Sequence, residues 1–74
     1  MNLTARIIVC DPIEPEGPRM LRDAGYEVDE FPQISPEELK VKISNYEAVV
    51  VRGRTKVTRE VLQAGTRLKV VARS

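Results

Sequence analysis

The stretch Ala48 to Thr58, AVVVRGRTKVT, constrains the fold more than any other part of this chain. Four apolar residues run without a polar break into a turn that carries Arg52, Gly53, Arg54, Thr55 and Lys56. Such a run reads as a strand buried on both faces, the situation of a parallel sheet. In open sheets of that kind, ligands sit just outside the carboxyl ends of the strands. The turn leaves the strand at that end, and its guanidinium and ammonium donors suit carboxylate or phosphate. Two readings stand side by side on this stretch alone: an anion site, or solvated loop cations without a ligand.

The remaining segments alternate as a parallel sheet requires. Arg6 to Cys10 (RIIVC) is an apolar run ending at Asp11-Pro12 and is expected to be the first strand. Asp11 is placed to cap the next helix, with Pro12 at its first position and Glu14 three residues on. Ile13, Gly17, Met20, Leu21 and Ala24 fit one face of that helix. Pro15 and Pro18 delay its regular part to about Glu14–Gly17, and Gly25 is suited to end it. Tyr26 to Phe31 alternates apolar and acidic residues, as a half-exposed edge strand does.

Ser35-Pro36-Glu37-Glu38 has serine, proline and glutamate at the cap, first and third positions of a helix, a capping box. Leu39, Ile43 and Tyr46 then share a face, and Asn45 closes the helix before a strand over Glu47–Val51. After the cationic turn, Thr58 caps a short helix over Arg59–Ala64, with Val57 and Leu62 at staple positions and Gly65 as its stop. Arg67 to Ala72 is the fourth strand. The order β-α-β-α-β-α-β implies α/β architecture with right-handed crossovers. The sheet order expected is 2-1-3-4, with the second and third helices on one face and the first alone on the other.

Composition narrows the function classes. The net charge is +1, yet residues 1–38 carry three basic and nine acidic side chains, a balance of −6. Residues 39–74 carry nine basic and two acidic ones, a balance of +7. A nucleic-acid binder is more often basic throughout, so one basic end favours a small anionic ligand; mutual neutralisation of the two halves is the alternative. The chain has no histidine and one cysteine, Cys10, which argues against histidine acid–base chemistry, a metal site and an internal disulfide. The apolar run near the N-terminus is too short for a signal peptide or membrane span. A cytoplasmic protein with no membrane or nucleic-acid partner is expected.

In combination, IIVCDPI (Ile7–Ile13), the helix end Leu21–Gly25, SPEEL (Ser35–Leu39), VVVRGRTKVT (Val49–Thr58) and LKVVARS (Leu68–Ser74) resemble the D-isomer-specific 2-hydroxyacid dehydrogenases. The resemblance runs along the whole chain but covers only about the first quarter of such an enzyme. It implies a flavodoxin-like substrate-binding domain that normally has a fifth strand, in an enzyme passing hydride between substrate C2 and NAD. Arg52 matches the family arginine that ends the third strand and contacts the anionic substrate, and Arg73 matches the arginine of the family's GRAG stretch. Arg54 and Lys56 match frequent basic positions. Gly53 stands where serine is common, and Ser74 where alanine is.

The expected substrate site is therefore Arg52, Gly53, Arg54, Lys56 and Arg73, for a small anion such as a phosphate-bearing 2-hydroxy acid. Residues 1–74 are expected to be the N-terminal part of a substrate-binding domain, with the nucleotide-binding domain and the catalytic residues outside them. By themselves they are expected to bind no NAD and to be inactive, and to self-associate through an uncovered strand edge. Other expectations are a fragment of a glyoxylate or hydroxypyruvate reductase, and a stand-alone anion-binding or dimerisation module of the same fold. A receiver-type signalling domain is set aside, because Arg52 stands where that fold needs an aspartate.

Overall fold

The structure, a computed structural model, describes residues 5–74; the first residues of the N-terminal run lie outside them. Four parallel strands, β1 (Arg6–Val9), β2 (Glu27–Glu30), β3 (Ala48–Val51) and β4 (Val70–Arg73), form one sheet in the order β2-β1-β3-β4. Helix α1 (Glu16–Asp23) joins β1 to β2, α2 (Pro36–Lys42) and a 3₁₀ turn (Ile43–Asn45) join β2 to β3, and α3 (Arg59–Ala64) joins β3 to β4. Class, strand order and direction are those the alternation of segments predicts. Strand ends differ by a few residues, most at β4, where Arg67–Lys69 form the approach to the strand.

The sheet divides two apolar clusters by side-chain parity. Ile8, Cys10, Val49 and Val51 meet Leu39, Ile43, Tyr46 and Val61 from the α2 and α3 side. Ile7, Val9 and Val28 meet Ile13 and Leu21 on the α1 side. Only α1 covers that second face, so Ala48 and Val50 are half-buried and β3 is fully buried on one face alone. The expectation of burial on both faces is corrected accordingly.

Local chemistry accounts for the helix ends. Ser35 and Glu38 form the full capping box, with the Glu38 N–H donating to Ser35 Oγ at 3.1 Å. The Thr58 side chain accepts from Val61 N–H at the start of α3. At the end of α1, Gly25 has φ +99°. Its N–H donates to the Arg22 carbonyl, and the Tyr26 N–H to that of Leu21, both near 3 Å. These are the two bonds of a Schellman turn, whose left-handed residue favours glycine.

The structure refines several sequence-based expectations. Asp11 does not cap α1, which starts after Pro15 with no side-chain cap; Asp11 is drawn away by a stronger set of donors described below. Pro18 falls at the third helical position, where the missing N–H would have had no intrahelical partner. Met20 and Ala24 are exposed, and Gly17, Pro18 and Leu21 form the inner side of α1 instead. Leu62 is half-exposed whereas Val57 packs on the core. Gly65 ends α3 at an ordinary φ of −82°. A Cβ there would lie 3.1 Å from Leu68 Cβ and 3.3 Å from Ile43 Cγ1, so close packing, not a left-handed backbone, favours glycine.

Candidate functional site

The carboxyl ends of β1, β3 and β4 lie side by side. Val51 is in register with Arg73, and the Ser74 N–H donates to the Val51 carbonyl at 2.9 Å. Arg52 therefore leaves β3 next to the end of β4, and the turn that follows lies against the end of β1. None of the backbone hydrogen bonds outside helices and strands involves residues 52–57 among the described residues. What holds this turn is Asp11.

Asp11 is 2% exposed and stands just past β1. Its Oδ2 accepts from the N–H groups of Arg52 at 2.6 Å and Gly53 at 3.0 Å. Its Oδ1 accepts from the Thr55 hydroxyl at 2.6 Å and the Thr55 N–H at 3.0 Å, and lies 3.3 Å from Arg54 Nε. The Arg54 Nη2 donates to the Cys10 carbonyl at 2.7 Å. Burial alone would raise the carboxyl pKa. The bonds from the Thr55 hydroxyl and the Arg52, Gly53 and Thr55 amides outweigh it and hold Asp11 well below the usual carboxylate range. The site thus contains a fixed buried anion ringed by the donors of one turn.

The five residues expected at the site divide into two sets. Arg52, Lys56 and Arg73 are exposed and make no ion pair with the described residues. Their charges remain open to a ligand. Arg54 and Gly53 are engaged: one braces Asp11 and Cys10, and the other has given its N–H to Asp11. Space around Gly53 is open, with nothing within 4 Å of where a Cβ would stand. Next to the turn, Ile34, Arg54, Thr55, Lys56, Thr58 and Val61 line part of a cleft of about 470 Å³ between α2 and α3. Lys40, Glu37 and Glu60 also border it, so its wall carries both signs of charge.

Cys10 is buried, and burial together with neighbouring Asp11 pushes its thiol up to about 11. It is protonated near neutral pH and is no nucleophile. Among the described residues no group of histidine, cysteine or carboxylate side chains is arranged to hold a metal ion, and no helix is long and apolar enough to cross a membrane. Sequence reasoning missed Asp11 and Thr55. The available signal was the position of Asp11 at the carboxyl end of a strand next to β3, where a carboxylate faces the cationic turn instead of its own helix.

Similarity to known proteins follows the same residues. The chain is 41% identical over 69 residues to a D-3-phosphoglycerate dehydrogenase of Archaeoglobus fulgidus, which covers 93% of this chain and 13% of the relative. It is 46% identical over 70 residues to the chloroplastic D-3-phosphoglycerate dehydrogenase 2 of Arabidopsis thaliana, covering 93% and 11%. The chain thus spans about an eighth of the length of the curated relatives it matches. A crystal structure from Pyrococcus horikoshii superposes with a TM-score of 0.87 at 31% identity, over 96% of this chain and 21% of that one. An NAD⁺-bound 3-phosphoglycerate dehydrogenase of Entamoeba histolytica superposes with a TM-score of 0.80 at 25% identity, over 95% and 25%. The sequence pattern of the D-isomer specific 2-hydroxyacid dehydrogenase catalytic domain extends over residues 7–74, from the second residue of β1 through the cationic turn to the end of β4. With that pattern present over nearly all of its length, the chain belongs to the D-isomer specific 2-hydroxyacid dehydrogenase family.

Proposed function

We propose that this chain forms part of the substrate-binding domain of an NAD-dependent oxidoreductase acting on a D-2-hydroxy acid, namely 3-phosphoglycerate, oxidised at C2 to 3-phosphohydroxypyruvate. The observation that carries the reading is the placement of Arg52 and Arg73, both without ion-pair partners among the described residues, at the carboxyl ends of adjacent parallel strands. Lys56 adds a third such cation on the same turn. A substrate with a carboxylate and a phosphate rewards several cations at once. The names of the relatives, D-3-phosphoglycerate dehydrogenase, favour this substrate over glyoxylate or hydroxypyruvate.

In this reading Arg52 and Arg73 bind the substrate's anionic groups, and Gly53 leaves room for close approach. Arg54 braces the turn and adds positive field. In the oxidation NAD would accept the hydride. The chain's own residues do not suit that cofactor: Gly17, Gly25, Gly53 and Gly65 are not spaced as a GxGxxG turn, and the sequence has no histidine to serve as the base for the hydroxyl proton. Residues 1–74 alone therefore bind substrate groups without turning them over. A cytoplasmic location and a homo-oligomeric enzyme belong to the same proposal.

The test is Arg52→Ala in a full-length enzyme carrying this sequence. Loss of a charge-assisted hydrogen bond costs about 1.5–3 kcal/mol, so kcat/KM for 3-phosphoglycerate should fall roughly ten- to a hundredfold. NAD binding should stay nearly unchanged. Arg52→Lys should recover part of the loss, because lysine lacks the two-pronged donor. An Arg52→Ala enzyme with wild-type kcat/KM would place the anion site elsewhere.

A further inference from the structure

An ionised aspartate in the middle of an anion site is paradoxical on charge alone, since it repels the ligand that the surrounding cations attract. Its bonds explain its presence. Every hydrogen bond that Asp11 accepts comes from residues 52–55, and none from α1, the helix that follows it. The turn it holds has no backbone-to-backbone hydrogen bonds of its own among the described residues, so without Asp11 three amide N–H groups would point at no acceptor.

Resting on the reading of Arg52 as a substrate-binding arginine, we propose that Asp11 is a positioning residue of the anion site. It fixes residues 52–55 in the one conformation that presents Arg52 and Lys56 together. The partial neutralisation by Arg54, 3.3 Å away, offsets the repulsion that this arrangement would otherwise impose on an anion. The field of Asp11 and its geometric role therefore act on binding with opposite signs.

That opposition makes the proposal decidable. Asp11→Asn removes a negative charge, so charge alone predicts tighter anion binding, whereas positioning predicts weaker binding. If the binding-competent turn falls to a tenth of the population, apparent affinity drops about tenfold. The measurement is titration of the ¹⁵N-labelled chain with 3-phosphoglycerate and with inorganic phosphate, read at the amides of residues 52–56. It is paired with hydrogen exchange at Arg52, Gly53 and Thr55.

The expected result is a folded Asp11→Asn chain with about tenfold weaker binding and reduced protection at those three amides, because a neutral amide oxygen is a weaker acceptor than the carboxylate. Thr55→Val keeps the Asp11 charge and removes one donor. It should weaken binding less, and it serves if Asp11→Asn does not fold. Equal or tighter binding by Asp11→Asn, or undiminished protection at the three amides, would overturn the positioning role. No response of the wild-type chain to either anion would instead overturn the anion-site reading; the clamp would then stand or fall on amide protection alone.

Discussion

Replacing Asp11 by asparagine should also reveal how much of the fold rests on one carboxylate. The Asp11 side chain is 1% exposed, so its interactions carry little solvent screening. Asparagine can keep its carbonyl oxygen against the Arg52 and Gly53 amides. Its NH₂ group then replaces Oδ1. The Thr55 hydroxyl can adapt by donating to the Cys10 carbonyl, already 3.1 Å away, and accepting from the new amide. Arg54 Nε is left facing a donor, and the Thr55 N–H keeps only its longer bond to the Oδ2 position, 3.2 Å away. Arg54 is 42% exposed and can turn to water, so its share is small. The expected loss is that of one charge-assisted bond plus weakening of two others, about 1.5–3 kcal/mol. Total stability for a chain of this length is roughly 4–11 kcal/mol.

The effect must depend on pH with a definite sign. The folded state holds the Asp11 carboxyl below its unfolded value, near 3.9. Its contribution is therefore complete above that value and is lost as pH falls toward the folded pKa. Urea unfolding followed by far-UV circular dichroism, from pH 7 down to pH 3, gives the difference between wild type and Asp11→Asn directly. That gap should be widest at pH 7 and narrow steadily below about pH 4.5. Identical midpoints at pH 7, or a gap that does not change with pH, would refute the assignment of the clamp to an ionised Asp11.

The two helix-ending glycines should respond to alanine for different reasons. Gly25→Ala forces a side chain into the left-handed region and should cost about 1–2 kcal/mol, with no relief from mutating neighbours, since its Cβ would meet nothing within 4 Å. Gly65→Ala should cost about 1–3 kcal/mol by overpacking against Leu68 Cβ and Ile43 Cγ1; an unchanged urea midpoint would contradict this. At high pH, burial and the Asp29 partner push Tyr46 up to about 12, so its contribution is present below the ordinary value of about 10 and is lost on rising through 12. Tyr46→Phe should flatten that alkaline limb in thermal melts. Strand β4 is an open edge with Val70 54% and Val71 47% exposed, so residues 1–74 should associate with rising concentration and Val71→Lys should suppress it; light scattering from a wild-type monomer at high concentration would count against this.

The sequence carried the fold well because each segment states its own structure locally. Ser35 through Glu38 specify a helix start by contacts three residues apart, and Gly25 specifies a stop by its own φ. Apolar runs at Ile7–Val9 and Ala48–Val51, separated by helices, leave a parallel sheet as the consistent arrangement. The site was legible only as composition: the cations of the turn stand out, but which of them are already occupied is decided 41 to 44 residues away. From local spacing, Asp11-Pro12 followed by Glu14 matches a helix cap as well as any aspartate could. A cap would offer Asp11 one or two N–H donors from its own helix, while the turn offers three amides, a hydroxyl and a guanidinium. Nothing within ten residues of Asp11 reveals that competition. Only the adjacency of β1 and β3 decides it, and that adjacency is itself set by the 2-1-3-4 order. The local rule fails at Asp11 for the same reason that a site exists there: parallel strands gather chain segments remote in sequence at one end of the sheet, where their backbone donors and acceptors lack ladder partners. An ionised carboxylate placed among those donors outcompetes its own helix and fixes the turn from which Arg52 emerges.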